Sequence, residues 1–263
     1  EGSFDYINSV GVLHHLDQPE AGLRSLADRL APSGLLHLFL YADAGRWEIH
    51  RTQKALSLLN AGTGSEGLRL GRELFETLPE GNRLARHHRE RWAVDCAPDA
   101  NFADMYLHPQ ETSYNLERLF AFIETAGLHF AGFSNPEVWD PSRLLQGELL
   151  ERAQALPPRQ QWELVEQLDP DISHFEFFLS AAPVERARWS DEALGLARGL
   201  VQPCLWGEPD PILGRNMEPI QLTDADRSLL RTVAEQPEQR LGALASPDQI
   251  RELVDRQLLL LRE

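Results

Sequence analysis

Two adjacent histidines, His14 and His15, follow an apolar run that ends in Ser9-Val10-Gly11. An imidazole near its ordinary pKa can take a proton from a bound molecule or orient that molecule by hydrogen bonding. Adjacent residues at a helix start point in different directions, so we expect at most one histidine to face a ligand. Helix capping and a plain surface position stay open as alternatives.

A second group of polar and aromatic residues follows the next apolar run. Tyr41 ends that run, and Arg46 and Trp47 begin a helical segment over the same edge. Trp47, His50 and Gln53 recur at near-helical spacing, so they are candidates for one wall of a pocket. The pattern favours core packing for this helix face, and packing is also the more common role of an aromatic residue such as Tyr41 at a strand end.

The end of the first apolar run is itself a candidate binding region. Its last residues, Asn8, Ser9, Val10 and Gly11, lead directly into a polar turn. Ligands of open α/β sheets bind beyond the carboxyl ends of the strands. We therefore expect a ligand crevice here; the alternative is a strand end that only turns into a loop.

Several other kinds of site have no signal in the sequence. HExxH, G-x-S-x-G and paired catalytic carboxylates at a recognisable spacing do not occur, so metal dependence is not indicated. The two cysteines, Cys96 and Cys204, form no CxxC pair. Free thiols in a reducing cytoplasm fit this pattern best.

Composition narrows the classes of partner. The net charge of −16 argues against nucleic acid, because phosphate binding needs a basic face. A hydrophobic fraction of 42% is typical of soluble globular proteins, and the apolar runs are shorter than the roughly 20 residues that cross a bilayer. We expect a cytoplasmic protein without a membrane partner. The oligomeric state stays open.

The elements that position these residues follow from the apolar pattern. Residues 3–10 and 35–42 are near-continuous apolar runs, as in parallel strands covered on both faces. Between them a helix is predicted from Asp17, with Pro19 in its first turn and Pro32-Ser33-Gly34 as its stop. Strand, helix and strand make a βαβ unit.

The rest of the chain divides into further predicted segments. Residues 44–92 are predicted to be helical and 92–111 a loop, followed by a helix capped by Ser113 and closed by Gly127. Strands are expected at 128–133 and 174–180, with helices at about 141–155 and 158–168 between them. A Pro-rich linker is predicted for 184–221, and a small winged-helix-like or helical module for 222–263.

Three short pieces near the start carry a family resemblance. They are Phe4-Asp5-Tyr6-Ile7, Gly11-Val12-Leu13-His14-His15-Leu16 and Leu30-Ala31-Pro32-Ser33-Gly34-Leu35-Leu36. In this order they resemble the second half of class I S-adenosylmethionine-dependent methyltransferases, where such pieces span strand four, its following helix and strand five. Residues 113–133 look like the later helix and strand six, and 174–180 like the antiparallel strand seven. The resemblance covers about residues 1–182.

The resemblance implies a fold and an activity. The fold would be α/β, a Rossmann-like sheet of strands four to seven with a helical insertion at 44–111, followed by the small, mainly α module. The activity would be methyl transfer from S-adenosylmethionine to an unidentified acceptor, expected to be a small molecule. A base is needed only if that acceptor is a hydroxyl or an acidic carbon.

The resemblance also implies roles for the candidate residues. Residues 8–11 would contact the methionine part of the cofactor, and one of the two histidines would act as base or orient the acceptor. The acceptor pocket would be lined from the second group, by Tyr41, Arg46, Trp47 and His50.

The sequence departs from the family pattern in one large respect. The family's first half, with its Gly-rich loop after a strand and an acidic residue for the ribose, has no counterpart here. Gly62 to Gly67 is Gly-rich but lies between helices, so an interhelical turn is predicted. We interpret the sequence as the C-terminal part of a methyltransferase, inactive alone. The alternative is a non-catalytic interaction or regulatory protein on a methyltransferase-like remnant.

Overall fold

The computed structural model describes residues 2–184, 189–201, 212–213 and 219–262. The chain divides into two compact units, Glu1–Val184 and Glu185–Glu263. Parts of the predicted linker, residues 185–188, 202–211 and 214–218, lie outside the described residues, as does Cys204.

The first unit is built on a four-stranded sheet. Its strands are β1 (Phe4–Val10), β2 (Leu30–Tyr41), β3 (His129–Phe133) and β4 (His174–Ser180). The order across the sheet is β1-β2-β4-β3. β1 and β2 are parallel, whereas β4 runs antiparallel to both β2 and β3.

Alternation along the strands decides which face of this sheet is covered. On β2, Leu36, Leu38 and Leu40 are all fully buried, while the residues between them are partly exposed. Because successive side chains point to opposite faces, one face forms the core and the other stays more open. The core helices are α1 (Pro19–Ala27), α6 (Leu116–Glu124) and α8 (Pro158–Leu168).

The remaining helices of the first unit pack as an insertion or connect the last strands. The insertion helices are α2 (Trp47–Leu58), α3 (Ser65–Thr77), α4 (Arg83–His87) and α5 (Asp99–Tyr106), and α7 (Gly147–Gln154) precedes α8. The insertion has its own core, which includes Ile49, Leu56, Phe102 and Tyr106. The turn at Gly62 lies between α2 and α3, as predicted from the sequence.

Several predicted boundaries differ from the structure. Helix α5 lies inside the segment predicted as a loop. Polar residues interrupt the apolar pattern around its buried residues, Phe102 and Tyr106. Helix α6 is capped by the Asn115 side chain instead of Ser113, because the Ser113 hydroxyl donates to Asp43. Strand β2 already begins at Leu30 and continues through the expected helix stop.

The second unit contains helices α9 (Asp191–Leu196), α10 (Asp224–Glu235) and α11 (Pro247–Asp255). Its strands are β5 (Arg198–Val201), β6 (Ile212–Leu213), β7 (Pro219–Ile220) and β8 (Leu259–Arg262), with β5 antiparallel to β8. Residues 191–201, assigned to a linker from the sequence, are therefore part of this unit. Leu194, Ala197 and Val201 are buried in its core.

Among the described residues, no helix is both long and apolar enough to cross a bilayer.

Candidate functional site

The carboxyl ends of β1 and β2 lie side by side because the two strands are parallel. Residues after α5 cross these ends and are held there by backbone hydrogen bonds. The Thr112 amide donates to the His14 carbonyl oxygen at 2.8 Å, and the Tyr114 amide donates to that of Tyr41 at 2.9 Å. This crossing segment brings residues from two distant parts of the chain into one region.

His14 occupies the interior of this region. It is fully buried, and its ring stacks on Tyr41 with 3.8 Å between the ring centroids. Neither ring nitrogen has a hydrogen-bond partner within the described part of the chain. Burial, followed by the nearby His15, lowers the pKa of His14 to about 3. His14 is therefore neutral at physiological pH and a weak base.

A buried ion pair lies next to His14. The Arg46 guanidinium donates to both carboxylate oxygens of Glu111, from Nε at 2.9 Å and from Nη2 at 2.8 Å. His50 Nε2 and Gln53 Nε2 donate to the same carboxylate, each at 3.2 Å. Burial alone would raise the pKa of Glu111, but the hydrogen bonds from His50 and Arg46 lower it to about 2. The carboxylate is thus held ionised by three side chains.

Arg46 also joins this pair to the strand ends, because its guanidinium carbon lies 3.5 Å from the centroid of the Tyr41 ring. Tyr41, Arg46 and His14 therefore form one packed stack. The structure brings these three predicted site residues together, in positions that are buried or half-buried. Arg46 is buried and paired with Glu111, so a ligand cannot contact its guanidinium directly.

A cavity of about 670 Å³ opens beside the ion pair. His50 and Gln53 line it, together with Lys54, Tyr106, His108 and Glu111. Trp47 does not line this cavity. It is 42% exposed, and Arg51 and Arg83 lie over its ring at 5.1 and 4.6 Å. Trp47 thus contributes to a different surface of α2.

The four residues at the end of β1 differ in their surroundings. Ser9 is buried, and Val10 is exposed. The Asn8 side-chain oxygen lies 2.7 Å from His37 Nδ1, so that His37 nitrogen donates to it. Gly11 has a φ of +70° with open space around its Cβ position, a conformation that favours glycine. The chain turns sharply at Gly11 towards the two histidines.

His15 is half-buried and more accessible than His14. Its Nδ1 lies 3.1 Å from the Gln110 carbonyl oxygen, which can only accept a hydrogen bond. The proton is therefore on Nδ1, and Nε2 carries the lone pair. The His15 ring also contacts His108, with 4.0 Å between centroids.

Sequence reasoning missed Glu111, although it binds three of the candidate residues. Arg46 and Glu111 are 65 residues apart. No spacing or motif connects them, and Glu111 lies in the segment predicted as a loop. Only the crossing of the strand ends by that segment makes it part of the site.

Comparisons with known proteins complete this description. No family model matches the chain. An uncharacterized protein of Synechococcus sp. is 44% identical over 277 aligned residues, which cover 99% of this chain and 66% of that protein. The chain thus spans about two thirds of the length of that relative, and less of the solved structures below.

Two solved structures of PKMT2 from Rickettsia typhi have a similar fold. One matches with a TM-score of 0.58 and 17% identity, covering 100% of this chain and 58% of that chain. The other, in complex with AdoHcy, matches with a TM-score of 0.63 and 15% identity, covering 100% and 59%. At these identities the likeness concerns the fold: this chain has a mixed α/β, methyltransferase-like fold.

Proposed function

We propose that this chain is the C-terminal part of a methyltransferase that transfers a methyl group from S-adenosylmethionine to a small-molecule acceptor. The observation that carries the proposal is the sheet order β1-β2-β4-β3, with β4 antiparallel between its neighbours. In the resemblance described above, these strands correspond to four, five, seven and six. The similar fold of a protein solved with AdoHcy supports the same conclusion.

The end of β1 fits one wall of a cofactor site. Gly11 leaves open space above the turn, so a ligand can approach the backbone of Val10 and Gly11 closely. His14, which follows this turn, is fully buried and packs against Tyr41 beneath it. When bound, the cofactor supplies an activated methyl group, so alignment of the acceptor is the main task of the protein.

The other wall of the cofactor site would come from a preceding part of the protein. β1 is an edge strand, and the exposed fractions of Phe4, Tyr6 and Val10 are 55%, 55% and 48%. An apolar edge of this kind is suited to pairing with another strand. We infer that a preceding half adds strands here and contributes the Gly-rich loop and the acidic residue for the ribose.

The acceptor would bind in the cavity beside the ion pair. Its volume of about 670 Å³ lies within the range of small-molecule sites. The ion pair of Glu111 and Arg46 holds the side chains of one cavity wall in place. His50 and Gln53, which donate to Glu111, present polar atoms to the cavity. A charged wall that is already paired is preorganised, so it loses little freedom when an acceptor binds.

The two histidines would have different roles. His14 is buried with a pKa of about 3, which suits a positioning residue better than a base. His15 carries an accessible lone pair on Nε2, so it is our candidate for taking a proton from a hydroxyl or acidic carbon. An amine or thiolate acceptor would not need this step.

The proposal is tested by matched glycine substitutions in the protein encoded by the full-length gene. Gly11 and Gly127 have φ angles of +70° and +65°, both with open space at the Cβ position. Gly11→Val and Gly127→Val therefore impose similar backbone strain. We expect Gly11→Val to abolish AdoHcy binding measured by calorimetry, and Gly127→Val, after α6, to leave it unchanged.

Two results would contradict the proposal. If both variants bind AdoHcy like the unsubstituted protein, the β1 end is not part of the cofactor site. If the unsubstituted full-length protein does not bind AdoHcy at all, the non-catalytic interaction protein becomes the better account.

A further inference from the structure

Three potential metal ligands lie together beside the acceptor cavity. The ligand atoms of His15, Asp104 and His108 all lie within 4.8 Å of one another. Two imidazoles and one carboxylate form a donor set that zinc and other divalent transition ions bind in proteins. Of the three, only His15 is among the candidate residues of the sequence analysis; Asp104 and His108 are not.

The local structure explains how residues so far apart meet. His15 belongs to the short helical turn Leu13–His15 directly after β1. Asp104 lies in the last turn of α5, and His108 follows four residues later. The end of α5 thus supplies the carboxylate, and the segment directly after it supplies the imidazole.

One residue, Gln110, orients both imidazoles through its backbone. Its carbonyl oxygen accepts from His15 Nδ1 at 3.1 Å, which leaves the lone pair on Nε2 of His15. Its amide donates to His108 Nδ1 at 3.2 Å, so His108 carries a lone pair on that nitrogen and is neutral. The His15 bond is of the kind that fixes metal-binding histidines, because it leaves Nε2 free to bind an ion. The Gln110 amide instead occupies a lone pair of His108, so that bond must open before His108 binds an ion.

The distances require a small adjustment when an ion binds. Ligand atoms around a tetrahedral zinc ion lie roughly 3.3 Å apart, given zinc–nitrogen distances of about 2.0 Å. Asp104 is exposed and both histidines are half-buried, so rotation of the side chains suffices. The ion would displace the Gln110 amide from His108 if it binds Nδ1; that hydrogen bond is at the long end of the usual range.

We propose that His15, Asp104 and His108 bind one divalent transition-metal ion, with zinc as the best match. Three protein ligands leave a fourth position open to water or to a ligand oxygen from the cavity, which His108 also lines. With respect to the proposed function, the ion would occupy the lone pair of His15. The ion would then orient the acceptor, and His15 would not take a proton from it.

The test is direct measurement of ion binding to this chain. After treatment with a chelator, zinc binding is measured by equilibrium dialysis, and Co²⁺ is used as a spectroscopic probe. We expect one ion per chain and visible Co²⁺ absorption of a site with nitrogen ligands. His15→Ala and His108→Ala should each weaken zinc binding by about tenfold or more.

Two further variants separate loss of the zinc ligands from loss of folding. Asp104→Asn changes an exposed side chain, so it should fold normally and still weaken zinc binding. His129→Ala removes an exposed histidine from β3 and should leave binding unchanged. The proposal would be overturned if Asp104→Asn and His108→Ala bound zinc as tightly as the unsubstituted chain. It would also be overturned if His129→Ala weakened zinc binding as much as these variants do. None of these results depends on AdoHcy binding, so this inference can fail while the proposed function stands.

Discussion

The two faces of the four-stranded sheet differ although the same strands form both. On one face, Leu36 and Leu38 of β2 and Phe175 and Phe177 of β4 are fully buried. On the other, Tyr6 of β1 is 55% exposed, and aromatic residues of β2 and β4 are only half-buried. The first face is covered by α1, α6 and α8, whereas the second has no comparable cover among the described residues of the unit.

Polar residues also distribute unequally between the faces. His37 on the open face donates to Asn8 of β1 through Nδ1 and contacts Glu176 of β4 through Nε2 at 3.0 Å. This chain of hydrogen bonds links three strands where packed helices are missing. The buried face therefore stabilises the unit, while the open face and the strand ends are available for binding.

The largest effect is expected from truncation on the buried face. Phe177→Ala should reduce the free energy of unfolding of the first unit by about 4 kcal/mol, because it leaves a cavity in the core. Phe178→Ala is the matched control, since its ring lies on the open face against His37. We expect a reduction of about 1 kcal/mol there by chemical denaturation. Equal losses for the two variants would show that the faces do not differ.

A smaller loss is expected at the end of the open face, where Arg46 and Glu111 are buried. Glu111→Gln should reduce the free energy of unfolding by about 3 kcal/mol, because Arg46 remains buried without its counter-charge. Glu176→Gln alters a more exposed carboxylate beside His37 and should cost less than about 1 kcal/mol. If Glu111→Gln proves neutral, this ion pair does not stabilise the strand ends.

Acid should weaken the same end of the sheet. The pKa of Glu111 is lowered from the ordinary value of 4.5 to about 2, so its stabilisation is complete above pH 4.5. As the pH falls towards 2, the unfolded chain takes up the proton first and the stabilisation is lost. We expect a decrease of about 2 to 3 kcal/mol across this range, reduced in Glu111→Gln. Parallel pH profiles of the two proteins would contradict this assignment.

The smallest effect on stability is expected at the exposed edge. Tyr6→Ser should change the free energy of unfolding of this chain by less than about 0.5 kcal/mol, as for most surface substitutions. In the full-length protein the same change should be more destabilising, because we propose that a preceding half covers this edge. A comparison of the two denaturation midpoints measures that difference.

Much of the sheet could be predicted from the sequence, because its signals are local. Continuous apolar runs predicted β1 and β4 closely, and Gly127 ends the helix region before β3 with a φ of +65°. The interhelical turn predicted at Gly62 lies between the end of α2 and the start of α3. In each case the residues that determine the element lie within it.

The candidate site was predictable only in part, because its contacts are not local. Tyr41, Arg46 and His14 were selected from their positions after strands, and they do meet. Glu111, Asp104 and His108 lie in or beside a segment whose helix α5 is only eight residues long and weakly amphipathic, so the pattern predicted a loop. The hydrogen-bond partners of Glu111 are 58 to 65 residues away, and only the fold brings them together.

Calorimetric titration of AdoHcy, with this chain and the protein encoded by the full-length gene measured side by side, tests whether the cofactor site is shared between this chain and a preceding half. We expect micromolar binding to the full-length protein and binding to this chain that is at least about a hundredfold weaker, since one wall of the site would be missing. Equal micromolar binding to both would contradict a shared site, because the cofactor site would then be complete within these 263 residues. Absence of binding to both would contradict the methyltransferase function itself.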